Sequence, residues 1–286
     1  MRLFLSDTCY EPLFALPKKI QTKVVSFQRK FRECTSSNGM HLEPIAQFND
    51  ASMRTARIDD NYRAVIGLID ENAYLLYVGT HENAYNWGIR KKLVWNDHTQ
   101  ACQLVTVHQI SETVVKTEES ESKETYPYAN VLEEQWLKIG VPEELISQVK
   151  LIKSLDDLEL LEEYLPTDAF ENIYNLLDGE NIDDIIAEIE EGRAKENEDQ
   201  LLSNNNKRRF VELTDDDALQ HILDAGIDKW QLFLHPSQQK LVDADYKGTM
   251  KVSGGAGTGK TVAALHRLKY LSGNPDAKIL FTTYTR

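Results

Sequence analysis

The chain has 286 residues, 46 Asp and Glu against 32 Lys and Arg, and a mean hydropathy of −0.46. No apolar run approaches the ~18–20 residues a membrane-spanning helix needs, and no signal-peptide pattern opens the sequence, so neither span nor secretion is expected. Cys9, Cys34 and Cys102 are odd in number and scattered without a C-x-x-C spacing; they argue against a disulfide framework or zinc site and fit a cytoplasmic protein.

The net charge of −14 is unevenly spread. Residues 1–95 hold 13 cations against 10 acids, residues 96–210 hold 10 against 27, and residues 211–286 hold 9 against 9. The acid excess therefore sits in the middle segment, and the flanking segments remain free to meet phosphate.

Residues 1–95 read as a small α+β domain. Pro17 opens a helix in which Ile20, Val24, Phe27 and Phe31 recur at helical spacing, and Ser36-Ser37-Asn38-Gly39 ends it. Three strands follow, Met53–Ile58, Tyr62–Ile69 and Tyr74–Val78, with turns at Asp59-Asp60-Asn61 and Asp70-Glu71-Asn72, so a meander is expected. A helix over Glu82–Lys92 closes the domain.

Residues 96–202 read as an acidic helical segment. Glu118–Glu124 is a charged, flexible stretch. Helices are expected over Leu132–Ile139, Pro142–Lys150, Leu155–Tyr164, Thr167–Leu177 and Ile182–Glu191, with start signals at Ser154 and Thr167. Their apolar stripes against acidic faces suit packing or partner docking. Asp156-Asp157 and Asp183-Asp184 lack a His or Cys at ligand spacing and read as solvated faces. Residues 203–210 read as a linker, with Lys207-Arg208-Arg209 either a solvated tether or a basic contact patch.

The sharpest signal lies in residues 211–286. Gly254-Gly255-Ala256-Gly257-Thr258-Gly259-Lys260-Thr261 matches G-x-x-x-x-G-K-[ST] at all four fixed positions. An apolar run with Met250 and Val252 leads in, and a helical run from Val262 to Leu271 leads out. The glycines let backbone N–H groups converge on a phosphate without Cβ interference, and a helix N-terminus adds positive partial charge. Lys260 is placed to reach the β- and γ-oxygens, and the Thr261 hydroxyl to take Mg²⁺. ATP and Mg²⁺ are the expected cofactors. Lys278–Thr285 reads as the next strand. Only 25 residues follow Thr261, too few for the acidic strand and water-positioning group of such an NTPase, so the chain is expected to be the N-terminal part of a larger protein with a truncated motor lobe.

Upstream lies Leu234-His235-Pro236-Ser237-Gln238-Gln239-Lys240-Leu241-Val242. The planar amide of Gln238 suits the N6/N7 edge of adenine. This stretch, the glycine loop and Thr283-Tyr284-Thr285 together resemble superfamily 1 DNA helicases of the UvrD/Rep type, over about residues 211–286. The resemblance implies a RecA-like P-loop α/β lobe, adenine reading by Gln238, single-stranded DNA contact by Thr283 and Thr285, and ATP-driven movement on single-stranded or duplex DNA. Gln239 departs from the family, which usually carries Arg there.

Residues 1–95 resemble the RelE/ParE toxin fold, on the helix from Pro17, the stretch Arg54-Thr55-Ala56-Arg57-Ile58-Asp59-Asp60-Asn61-Tyr62-Arg63, and Tyr77–Tyr85. That likeness implies phosphate contact by Arg57 and Arg63 and proton transfer by His81. Solvated arginines and a capping or packing histidine are the plainer reading. Two function classes stay open: an ATP-dependent DNA helicase whose N-terminal module recognises a protein or RNA partner, or a toxin-like RNA-binding or mRNA-cleaving module fused to a nucleotide-binding lobe.

Overall fold

The computed structural model describes residues 1–33, 42–107, 126–230, 242–244, 246, 248–250, 252, 260–274 and 277–282. These fall into two units, Met1–Leu223 and Asp224–Arg286.

The first unit is a mixed α+β structure around a six-stranded sheet. In chain order its strands are β1 (Arg2–Ser6), β2 (Glu43–Pro44), β3 (Met53–Arg57), β4 (Tyr62–Ile69), β5 (Asn72–Thr80) and, far downstream, β8 (Phe210–Glu212). Their spatial order is β2-β3-β4-β5-β1-β8. The β3–β4–β5 meander is present with both expected turns, and Asp70 takes the left-handed conformation (φ 52°) that such a turn requires. β1 lies parallel to β5 and antiparallel to β8, which makes the sheet mixed. Residues 3–6 of β1 are all buried, so this central strand lacks the apolar–polar alternation by which a half-buried strand is read.

Between Val65–Tyr77 and Ile66–Leu75 the register slips, leaving Leu76 of β5 as an extra residue. The carbonyl that the bulge frees accepts a bond from the Thr8 hydroxyl at 2.9 Å. The polar cost of the irregularity is thereby met.

Helices α1 (Tyr10–Ala15) and α2 (Lys18–Glu33) pack on the sheet, α2 through Ile20, Val24, Phe27 and Phe31 as its spacing demands. Helix α3 (His81–Ile89) and an antiparallel hairpin, β6 (Lys91–Asn96) and β7 (Ala101–Thr106), close over a second core of Phe4, Met53, Val65, Tyr74, Leu93 and Phe210. The expected helix over Glu82–Lys92 is therefore corrected at its end. It stops at Ile89, and Lys91 and Lys92 open β6 instead, next to Leu93, which is buried against the sheet. Both hairpin strands have a backbone N–H taken by a distant side chain: Asp50 Oδ2 accepts from Leu93 at 2.9 Å and Asn206 Oδ1 from Cys102 at 2.9 Å.

The acidic segment folds as α4 (Glu133–Lys138), a 3₁₀ turn at Glu143–Leu145, α5 (Ile146–Val149), α6 (Leu155–Glu159), α7 (Thr167–Leu177) and α8 (Ile182–Glu191). Its apolar stripes meet in one core with Trp136, Ile139, Leu158, Ile173 and Ile185 among the most buried members. Ser154 caps α6 by accepting from the Asp157 N–H at 3.3 Å, while α7 begins at Thr167 after a Pro166 cap with no side-chain bond. Glu118–Glu124 lies outside the described residues.

The linker expectation for residues 203–210 gives way. Asn204–Lys207 form the short helix α9, and Asn205 and Asn206 are buried. Asn205 Nδ2 donates to Thr99 O and Ile189 O at 2.9 and 2.8 Å, tying the hairpin to the end of α8. Arg209 bonds Asp168 at 2.9 Å and Glu171 at 2.6 Å on α7, and Asp7 at 3.2 Å beside β1. A boundary at residue 95 is likewise unsuited to the sheet, because β8 completes it from residue 210.

The unit boundary falls within α10 (Ala218–Trp230). The second unit contributes the helix Lys260–Leu271. Residues 278–282, the described part of the expected strand, carry no strand pairing, with Leu280 88% exposed. A strand needs a hydrogen-bonded neighbour to persist, and none is present among the described residues. Among the described residues no helix is long and apolar enough to cross a membrane.

Candidate functional site

Of the nucleotide-site residues, Gln238 and Gly254–Gly259 lie outside the described residues, as do Thr283 and Thr285. The backbone of Lys260 and Thr261 is described, and it is helical from Lys260 onward. The described helix, Lys260–Leu271, covers the stretch that follows the glycine loop in the sequence pattern. Within it, Arg267 donates to Val242 O, and its guanidinium lies 5.3 Å from the Tyr246 ring and 5.2 Å from the Tyr270 ring. These contacts hold the helix at Arg267, about two turns along from Lys260.

The other sequence-picked residues gather at one end of the six-stranded sheet. Arg57 and Arg63 are directly opposed across β3 and β4, on one face of the sheet. Gly79 pairs with Arg63, and the His81 N–H donates to Asn61 O at 2.8 Å, so the start of α3 abuts the same end. Local bonds take up both guanidiniums. Arg57 pairs with Asp60, and Arg63 Nη1 donates to Asp59 O at 2.8 Å and Tyr62 O at 3.1 Å. Asp59 in turn pairs with Lys23 of α2 at 2.9 Å; that contact, with the N–H groups of Asn61 and Tyr62, holds its carboxyl below the usual carboxylate range. The two arginines thereby brace the Asp59–Tyr62 turn.

His81 is exposed and its ring stacks on Tyr85 at 4.2 Å between centroids, with Tyr85 edge-on to Phe48 at 6.2 Å. Thr80 caps α3 through the Asn83 N–H. Two polar atoms that sequence alone could not single out are also here. Thr55 Oγ1 and Arg63 Nε are buried without a hydrogen-bond partner among the described residues, and Thr55 shares the face of Arg57 and Arg63. Buried unpaired polar atoms are costly, which makes this face unusual within the sheet.

Elsewhere the chemistry is quiet. Cys9 and Cys102 are buried; burial pushes both thiols up, Cys102 to about 12, and leaves them inert as nucleophiles. No cluster of His, Cys, Asp and Glu suited to a metal ion occurs among the described residues. A cleft of about 470 Å³ opens between the β6–β7 hairpin and the helical core, with Lys92 on one lip and Glu143 and Glu144 on the other. It takes in none of the residues predicted from sequence.

Comparison with protein-family models, with curated proteins and with solved structures returns no match.

Proposed function

We propose that the chain binds ATP with Mg²⁺ at Gly254–Thr261 and forms part of an ATP-driven motor on DNA, of the superfamily 1 helicase type. The observation that carries this reading is a fully matched phosphate-loop sequence followed by a helix over Lys260–Leu271. On that reading the loop's N–H groups and the Lys260 ammonium hold the phosphates, Thr261 holds the metal, and the Gln238 amide selects adenine. Mg²⁺ would supply charge neutralisation between the β- and γ-phosphates. Thr283 and Thr285 would meet the DNA strand. The finer architecture, a RecA-like lobe behind a RelE/ParE-like module that recognises a protein or RNA partner, belongs to the same proposal.

Titration of the 286-residue chain with a fluorescent ATP analogue tests it. Mg²⁺-dependent binding that Lys260→Ala removes is the expected result, and indifference to that substitution overturns the reading.

The second reading, a toxin-like module that binds or cleaves RNA, draws on the cross-strand Arg57–Arg63 pair and the exposed His81 beside it. It is the weaker one, because both guanidiniums are already engaged by the Asp59–Tyr62 turn.

A further inference from the structure

The geometry points to the outer face of α2, distinct from the Arg57–Arg63 pair, as a surface that binds the phosphate backbone of a nucleic acid. This inference rests on the DNA-motor reading and gives it a contact surface.

Helix α2 carries six cations, Lys18, Lys19, Lys23, Arg29, Lys30 and Arg32, against a single acid, Glu33, at its last position. Helical periodicity sorts five of the six into two rows. Lys19, Lys23 and Lys30 run along one edge, Lys18 and Arg29 along the other, each row about 16 Å long at 1.5 Å per residue. Thr22 and Ser26 lie between the rows. Their hydroxyls donate to Lys18 O at 3.1 Å and Thr22 O at 3.0 Å, so the cations alone face outward as donors.

The structure sorts the cations again by partner. Lys23 pairs with Asp59, Arg29 with Asp217 and Arg32 with Asp216. Lys18, Lys19 and Lys30 form no ion pair among the described residues. Unpaired ammonium groups along a straight helix, on a chain of net charge −14, are a localised cationic strip on an acidic background.

The form of the strip selects its partner. Every apolar residue of α2 (Ile20, Val24, Val25, Phe27 and Phe31) is buried in the protein, so the helix has no side chain to insert into a bilayer. Linear rows of flexible ammonium groups match a linear polyanion with regularly spaced charges. Contact of this kind positions a strand without reading its sequence.

The experiment is a salt titration of the full chain against a fluorescent oligothymidylate of about 20 nucleotides, long enough to span the strip. The wild type is compared with a Lys18→Gln, Lys19→Gln, Lys30→Gln variant and with an Arg57→Gln, Arg63→Gln variant. Wild-type affinity is expected to fall steeply with salt, and the α2 variant to flatten the log–log slope by roughly two, since each single-strand phosphate contact contributes about 0.7. The sheet variant should keep the wild-type slope. Three results overturn the inference: no binding by the wild type at low salt, an unchanged slope in the α2 variant, or a loss confined to the sheet variant. Lysine-dependent binding to phosphatidylserine vesicles or self-association, without oligonucleotide binding, overturns it as well. Nucleotide titration of the same samples separates this failure from that of the motor reading: retained Mg²⁺–ATP binding with oligonucleotide binding that ignores the α2 lysines sinks the α2 surface alone.

Discussion

The side-chain oxygen of Asn206 accepts a hydrogen bond at 2.9 Å from the backbone N–H of Cys102, which lies 104 residues earlier in the chain. Its Nδ2 donates to Leu201 O at 2.8 Å, and the residue is fully buried. One amide thus satisfies the edge of the β6–β7 hairpin and the turn that precedes α9, and the bland run Ser203-Asn204-Asn205-Asn206 becomes a junction.

Asn206→Ala strands a buried donor and a buried acceptor at once. The expected loss is about 2 kcal/mol or more in urea unfolding, within the range for unsatisfied buried polar groups. Asn204→Ala, two residues earlier and exposed, should stay within about 0.5 kcal/mol of wild type. Equal effects at the two positions would remove the junction role.

Three carboxylates, Asp7, Asp168 and Glu171, surround the single guanidinium of Arg209, whose side chain is 18% exposed. Burial raises Asp7 above its ordinary value of 3.8, against the pull of Arg209. A raised folded value means that the folded state binds the proton more tightly. The stability Asp7 contributes is therefore present at low pH and lost as pH rises from 3.8 through the raised value. Asp7→Asn should flatten the stability profile over that window and match or exceed wild type at neutral pH. Arg209→Met should cost about 3–5 kcal/mol, because it leaves the carboxylates without their cation. A steeper profile in Asp7→Asn would contradict this account.

Nucleotide selectivity gives a separate check. With Gln238 reading the base, the wild-type chain should prefer ATP over GTP, and Gln238→Ala should bring the two affinities together while leaving the phosphate contribution in place. Turnover by the 286-residue chain should be negligible even where binding is measurable, since the described residues of Asp224–Arg286 include no strand to carry the acid such chemistry needs. Equal use of ATP and GTP by the wild type sinks the adenine assignment. Sustained DNA-stimulated hydrolysis sinks the second expectation.

His81 separates the two function classes. Its ring leans on Tyr85 and its backbone holds Asn61, so His81→Ala should lower stability only modestly and leave Mg²⁺–ATP binding intact. No cleavage of ribosome-associated mRNA is expected from the wild type. A cut that disappears in His81→Ala would favour the toxin-like reading.

What local sequence determined is the set of elements whose signals are self-contained. The meander over β3, β4 and β5, the amphipathic α2, and helices α7 and α8 follow from periodicity and turn residues that each segment carries within itself. The helix from Lys260 follows from the glycine loop in the same way. Tertiary structure decided the rest. β1 is buried on both faces and β8 has only three residues, so neither shows a period; β1 is a strand because β5 and β8 flank it, and β8 because β1 pairs with it across more than 200 positions. Lys91 and Lys92, expected at a helix end, open the hairpin because Leu93 beside them is buried in the core under the sheet. Asn205, Asn206 and Arg209 read as a polar tether until the fold supplies buried partners, for a polar side chain advertises its capacity to bond and not the group it will meet.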